Sequence, residues 1–215
     1  MHFAPEGFRI VLPVFGIAAL VLVVGVVSSS RPAFGVGGFL LVLSFCMLWF
    51  FRDPVREIPS GDDVVVAPAD GTVLCAETLP DGRQHVGIFL SVFNVHVNRV
   101  PYSGTIVQVI DKPGEYFRAN TRQADSLNAR VDIEAETTHG MVAWRQVSGA
   151  IARRIACRVK VGDAVETGEK FGLIYFGSRM DVFLPPSAEL TISKGVTTVA
   201  GETIIARFLT DKGSE

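Results

Sequence analysis

The sequence predicts a mainly β domain, barrel- or sandwich-like, carried behind an N-terminal hydrophobic helical hairpin. Three observations point there. Two uncharged apolar runs of about 18 residues each lie within the first 51 positions. Beyond them the chain becomes a series of short Val- and Ile-rich segments separated by Gly, Pro and Asp. Those segments show little of the 3.6-residue period of an amphipathic helix. At 215 residues the chain has room for one ordinary domain and an appendage.

The apolar runs are IVLPVFGIAALVLVVGVV, residues 10–27, and FGVGGFLLVLSFCMLWFF, residues 34–51. Each approaches the lower limit for a bilayer span, and they account for a mean hydropathy of +0.36, high for a soluble protein. The short polar linker SSSRPA predicts a hairpin with both ends on one side of a membrane. Arg9, Arg52 and Arg56 flank the pair while Arg31 alone lies in the linker, which assigns the following domain to the cytoplasmic side of the cell membrane. Trp49 fits an interfacial position. No small-residue cleavage site follows the first run, so a removed signal peptide is disfavoured. Pro13 and Gly37-Gly38 are expected to interrupt the helices, which leaves both a full span and a hairpin dipping into one leaflet open. Residues 1–51 are thus read as a membrane anchor and 52–215 as the working domain.

In that domain the strand candidates are VVVAPA, GTVLCAET, HVGIFLS, HVNRVPY, GTIVQVID, VDIEAETT, MVAWRQVSG, ARRIACRV, GLIYFG, MDVFLP, AELTIS and ETIIARFL. So many short strands imply a barrel or sandwich. YFRANTRQADSLNARV reads equally as a helix or as a loop over a binding site. VKVGDAVETGEKFG has the valine and glycine spacing of a β-turn-β element, which speaks to fold and not to function.

A net charge of -2 without a basic block excludes a nucleic-acid binder that relies on a positive surface. Cys46, Cys75 and Cys157 are odd in number and far apart, which fits neither a disulfide framework nor a paired-cysteine zinc motif, and no metal is expected. They read as buried or lipid-facing thiols in a reducing compartment.

Chemistry enters with five motifs in order: VVAPADGTV containing Asp70, FLSVFNVHVNRVPYSG containing His96 and Arg99, SLNARV, SGAIARRI, and YFGSRMDVFLP containing Gly177 and Ser178. A Gly-Ser pair between two strands is by itself an ordinary turn. Together, and behind a hydrophobic anchor, the five resemble the short form of the phosphatidylserine decarboxylase proenzyme family over residues 52–209.

The resemblance implies a pyruvoyl-dependent carboxy-lyase made from its own backbone. Ser178 would attack the carbonyl of Gly177, and cleavage would leave a large chain of residues 1–177 and a small chain of residues 178–215 beginning with a pyruvoyl group, the two remaining associated. That group would form a Schiff base with phosphatidylserine in the membrane and release carbon dioxide to give phosphatidylethanolamine. Glycine before the serine permits a strained, attackable peptide, and the serine needs a base. The resemblance assigns His96 as the catalytic proton donor and Asp70 as an aid to serine activation. Longer family members carry a second histidine three residues on, linked to self-cleavage, where this chain has Arg99. An arginine cannot act as a base at neutral pH. His96 in both stages, help from His139, or backbone strain with Asp70 all stay open. Arg99, Asn98, Asn128, Arg130, Arg153 and Arg154 are candidates for holding substrate phosphate and carboxylate, with at most one of Arg153 and Arg154 facing a pocket. His85 reads as structural or exposed. Nothing in the sequence sets the oligomeric state, and self-association stays open.

Two other readings compete. A zinc peptidase of the lysostaphin-like kind shares APADGTV and VKVGDAVETGEKFG, but it needs a His-x-His ligand pair that HVNR lacks. A lipoyl- or biotin-carrier module needs a modifiable lysine on a tight hairpin, where this chain has Ser178-Arg179-Met180.

Overall fold

The computed structural model describes residues 2–117, 119, 127–150, 154–175 and 177–209. The chain divides into two compact units, Met1–Val55 and Arg56–Glu215.

The first unit runs β1 (His2–Phe3), α1 (Pro5–Ser28), α2 (Arg31–Phe50), β2 (Arg52–Asp53), with β1 and β2 pairing antiparallel to close the base of the hairpin. Pro5 at the first turn of α1 has the φ a helix start requires, and Ser29 ends it in the left-handed region at φ 52°. The helices have 24 and 20 residues, about 36 and 30 Å at 1.5 Å per residue, and both are long and apolar enough to cross a membrane.

Neither Pro13 nor Gly37-Gly38 interrupts them, contrary to expectation. The glycine has a packing role instead. A Cβ on Gly37 would come within 2.7 Å of the Leu22 side chain, so its absence lets the helices approach. Val11, Ala18 and Gly25 on α1, and Gly37 and Ser44 on α2, recur every seventh position and with Gly7 form a buried seam of mostly small residues. The large apolar side chains, among them Leu12, Leu20, Val23, Phe39, Val42 and Phe45, point outward and are exposed.

The second unit is made of strands: β3 (Val64–Val66), β4 (Gly71–Thr78), β5 (Gln84–Leu90), β6 (Val97–Arg99), β7 (Gly104–Lys112), β8 (Arg130–Thr137), β9 (Gly140–Val147), β10 (Ile155–Cys157), β11 (Ala164–Val165), β12 (Lys170–Ile174), β13 (Ser178–Leu184), β14 (Ala188–Leu190), β15 (Thr197–Thr198) and β16 (Ile204–Phe208). The predicted mainly β fold with an apolar helical hairpin is therefore what the chain adopts. Eight strands form one curled sheet in the order β11-β7-β8-β9-β13-β5-β4-β15. Two three-stranded sheets, β10-β12-β6 and β14-β16-β3, complete the domain. Half of the segment YFRANTRQADSLNARV, residues 118 and 120–126, lies outside the described residues, and its last two residues begin β8.

Alternation determines which face of the large sheet is inside. Val86, Ile88 and Leu90 of β5, Met180, Val182 and Leu184 of β13, Val142 and Trp144 of β9, and Val131, Ile133 and Ala135 of β8 all join one core with Phe171 and Ile174 of β12. β9 departs from the pattern at Gln146, a buried amide at an inward position. β4 carries a bulge between Val73 and Cys75, so Cys75 and Glu77 turn to the outer face while Ala76 packs on the core.

Candidate active site

The site forms where β13 begins. Ser178 opens that strand opposite Leu90, with its side chain on the inner face alongside Met180 and Val182. It is fully buried, and its Oγ has no hydrogen-bond partner among the described residues. An unsatisfied buried hydroxyl costs about 1–3 kcal/mol, and native proteins keep few of them without a chemical reason. Gly177 before it has φ +68°, a conformation unfavourable to other residues. An added Cβ there would meet nothing within 4 Å, so conformation and not crowding calls for glycine.

His96 lies against this junction. It is completely buried just before β6, and its carbonyl accepts from Ile174 N–H at 3.3 Å. The imidazole Nδ1 is 2.9 Å from the Asn94 carbonyl oxygen, which can only accept, so Nδ1 carries the proton. Nε2 is left with its lone pair, and the Gly177 N–H donates to it at 3.4 Å. The tautomer is itself determined by a turn: Asn94 Oδ1 accepts from Ser91 N–H at 2.9 Å and from Ser91 Oγ at 2.7 Å, which holds the Asn94 carbonyl in place.

A polar group on the inner face adjoins these residues. Asn98, on β6, accepts at Oδ1 from Gln146 Nε2 at 2.9 Å, while Asn98 Nδ2 and Gln146 Oε1 stay buried and unpartnered. Gly172 faces Asn98 in the β6–β12 register, and a Cβ on it would come within 2.8 Å of the Gln146 amide. One residue beyond the Val147–Arg179 pair, the same register puts Ser148 beside Ser178, and the buried Ser148 Oγ also lacks a partner. Gln146 and Ser148 went unnoticed in the sequence. The available signal was the polar residue at an inward position of MVAWRQVSG.

The other predicted residues are placed as follows. Extending the β4–β5–β13 register puts Asp70 level with Gly177 but two strands away, about 10 Å. Its carboxylate accepts from Arg56 Nη2 at 2.9 and 2.8 Å and from Ala200 N–H at 2.8 Å. Arg99 is buried and donates from Nη1 to the Gly168 carbonyl at 2.8 Å. Asn128 holds backbone: Oδ1 accepts from Phe117 N–H, and Nδ2 donates to the Phe117 and Ser148 carbonyls, each at 2.8 Å. Arg130 pairs with Val147 in a row that includes Arg179, on the face opposite Ser178, and its Nε is 3.5 Å from Asp132. Arg154 is exposed, and Arg153 lies outside the described residues. His139 stacks on Phe208 at 4.3 Å in the β8–β9 turn. The eight-residue β9 separates it from Ser148 by about 27 Å, which removes it as a base for Ser178.

This arrangement can do acyl chemistry: a buried hydroxyl without a competing partner, a glycyl carbonyl before it, and an imidazole lone pair at the junction. Comparison with known proteins identifies the family. Residues 43–206 match the family model described as phosphatidylserine decarboxylase. The chain is 41% identical to the phosphatidylserine decarboxylase proenzyme of Pelobacter propionicus over 212 residues, covering 94% of this chain and 95% of that one. It is 41% identical to the protein of the same name from Rickettsia felis, over 93% of this chain and 90% of that one. To the Rickettsia akari protein of that name it is 42% identical, over 89% and 87%. A family model matching most of the sequence, and relatives aligned almost end to end, mean that this chain belongs to the phosphatidylserine decarboxylase family.

Proposed function

We propose that this decarboxylase matures by cutting itself between Gly177 and Ser178, and that it acts on phosphatidylserine in a membrane to give phosphatidylethanolamine and carbon dioxide. The observation that carries the reading is the His96 imidazole, with its tautomer fixed at Nδ1 and Nε2 only 3.4 Å from the Gly177 nitrogen, beside the unpartnered Ser178 hydroxyl. A bond that long exchanges readily, so Nε2 is available to take the Ser178 proton as Oγ attacks the Gly177 carbonyl. Acyl transfer from nitrogen to oxygen gives an ester. Elimination then frees the carboxyl end of the large chain, and water converts the dehydroalanine at 178 to a pyruvoyl group with loss of ammonia. The inner face at residue 178 suits such a group, because Ser148 Oγ and Asn98 Nδ2 offer hydrogen bonds to carbonyl oxygens.

The pyruvoyl group supplies a ketone that condenses with the substrate amine and accepts electrons as carbon dioxide leaves. His96 then returns a proton to the substrate carbon. Asn98, Gln146 and Ser148 hold polar atoms of the head group. Arg99 and Asn128 act by fixing backbone around the site, and Asp70 by anchoring the turn before β4 through Arg56 and Ala200. With Arg99 donating to Gly168 and His139 at the far end of β9, His96 serves both maturation and turnover. In this reading the helical hairpin is the membrane anchor, and the arginine distribution supports a cytoplasmic domain.

Ser178→Ala tests the proposal. The variant should stay at full length, while the natural chain separates on a denaturing gel into residues 1–177 and 178–215. The small chain should lack a free amine and weigh one ammonia less than the same peptide starting with serine. An ordinary serine at its start would mean that a protease made the cut.

A further inference from the structure

We propose that Cys75, Glu77 and His85 form a binding site for a zinc-class divalent ion on the outer face of the large sheet, away from Ser178. Cys75 and Glu77 stand two apart on β4, turned outward by the bulge. His85 faces Glu77, and Gly87 faces Cys75, across the β4–β5 pair. The Cys75 Sγ is 3.7 Å from His85 Nδ1 and a Glu77 carboxylate oxygen is 3.6 Å from it, with all three donor atoms within 4.8 Å of one another. Tetrahedral zinc with bonds of about 2.0–2.3 Å separates its ligands by about 3.3–3.6 Å. The exposed Glu77 carboxylate can therefore close the set by a rotamer adjustment. Among the described residues this is the one cluster of metal-capable side chains.

The surroundings fit a metal ligand better than a chance contact. His85 is more than nine-tenths buried, and its Nε2 meets Asp181 Oδ1 at 3.0 Å, with Asp181 in turn bonded by Arg179 Nε at 2.7 Å. A carboxylate on the far ring nitrogen is the usual partner that orients a ligating imidazole and leaves the other nitrogen toward the ion. The ring also stacks on Phe183 at 4.7 Å and 4°, which holds its plane. Gly87 makes the room: a Cβ there would lie 2.9 Å from both Cys75 Sγ and Asp181 Oδ1. One sulfur, one nitrogen and one oxygen, with an open side for water, suit a borderline-soft ion more than magnesium or calcium. Burial pushes the His85 imidazole down, but the Asp181 hydrogen bond and Cys75 outweigh it and hold it at about 9.

The test uses the full chain in detergent, with cobalt(II) as a spectroscopic probe and zinc measured by metal analysis and chelator competition. The expected result is about one tightly held ion per chain, with a thiolate-to-cobalt charge-transfer band and the intense visible bands of a four-coordinate ion. Cys75→Ser should lose the charge-transfer band. Glu77→Gln should weaken zinc binding, and Asp181→Asn should weaken it about 10- to 100-fold. Glu77 is exposed, so its variant reports even if Cys75→Ser fails to fold. No zinc uptake by the natural chain, or equal uptake by the Cys75→Ser or Glu77→Gln variant, overturns the proposal.

Discussion

At the residue scale, the candidate site is a set of buried polar atoms without hydrogen-bond partners among the described residues, an arrangement that costs stability. His96→Ala should abolish decarboxylation, measured as carbon dioxide release from phosphatidylserine, and should also slow or block the cut before Ser178, read on a gel. Rapid cutting in that variant would remove His96 from maturation. Gln146 offers a complementary test. Its Oε1 is buried without a partner, so Gln146→Met, of similar volume, removes a desolvated acceptor while leaving Asn98 Oδ1 unpaired. We expect the unfolding free energy to change by no more than about 1 kcal/mol in either direction. Turnover should fall at least several-fold, because the amide that orients Asn98 is gone. His96, Gly177 and Ser178 were legible in the sequence from their motifs. Gln146 was legible only as a break in alternation. The partners of Arg99 were not legible, since Gly168 lies 69 positions away and meets it only through folding.

At the scale of elements, neighbouring strands on the outer face are tied by charge. Asp132 of β8 accepts from Lys112 of β7 at 2.7 Å and from Arg145 of β9. Burial pushes its carboxyl up, but the Lys112 and Arg145 hydrogen bonds outweigh that and hold it below the ordinary range. A carboxyl depressed in the folded state adds stability above its unfolded value, near pH 4, and that contribution disappears as pH falls through the folded value. Asp132→Asn should therefore lower stability at neutral pH, by about 1 kcal/mol or less for so accessible a cluster. It should also flatten the acid limb of a denaturation-versus-pH profile below about pH 4. An unchanged acid limb would mean that the cluster contributes nothing. The helical elements carry a different lesson. Gly37, which looks like a helix break in the sequence, is a contact point, because between two apolar helices close approach is gained through small side chains.

At the scale of the whole molecule, the chain divides after Val55, and every residue assigned to the chemistry lies beyond that point. Deleting residues 1–55 should release a domain that remains in the supernatant after ultracentrifugation and still cuts itself before Ser178. Failure to cut, in a truncated domain with native circular dichroism, would make the hairpin part of the catalytic fold. The sequence by itself determined the two apolar runs, the strand-rich domain and the Gly177–Ser178 junction, because hydrophobic period and turn residues act over a few positions. Tertiary structure alone decided which side chains share the junction. β6, β9, β12 and β13 bring Asn98, Gln146, Gly172 and Ser178 together from separate stretches of chain, whereas Arg130, one motif away from the others, ends on the opposite face. Local alternation says only that a side chain points inward or outward. Strand order and register, settled by packing of the common core, choose its neighbours.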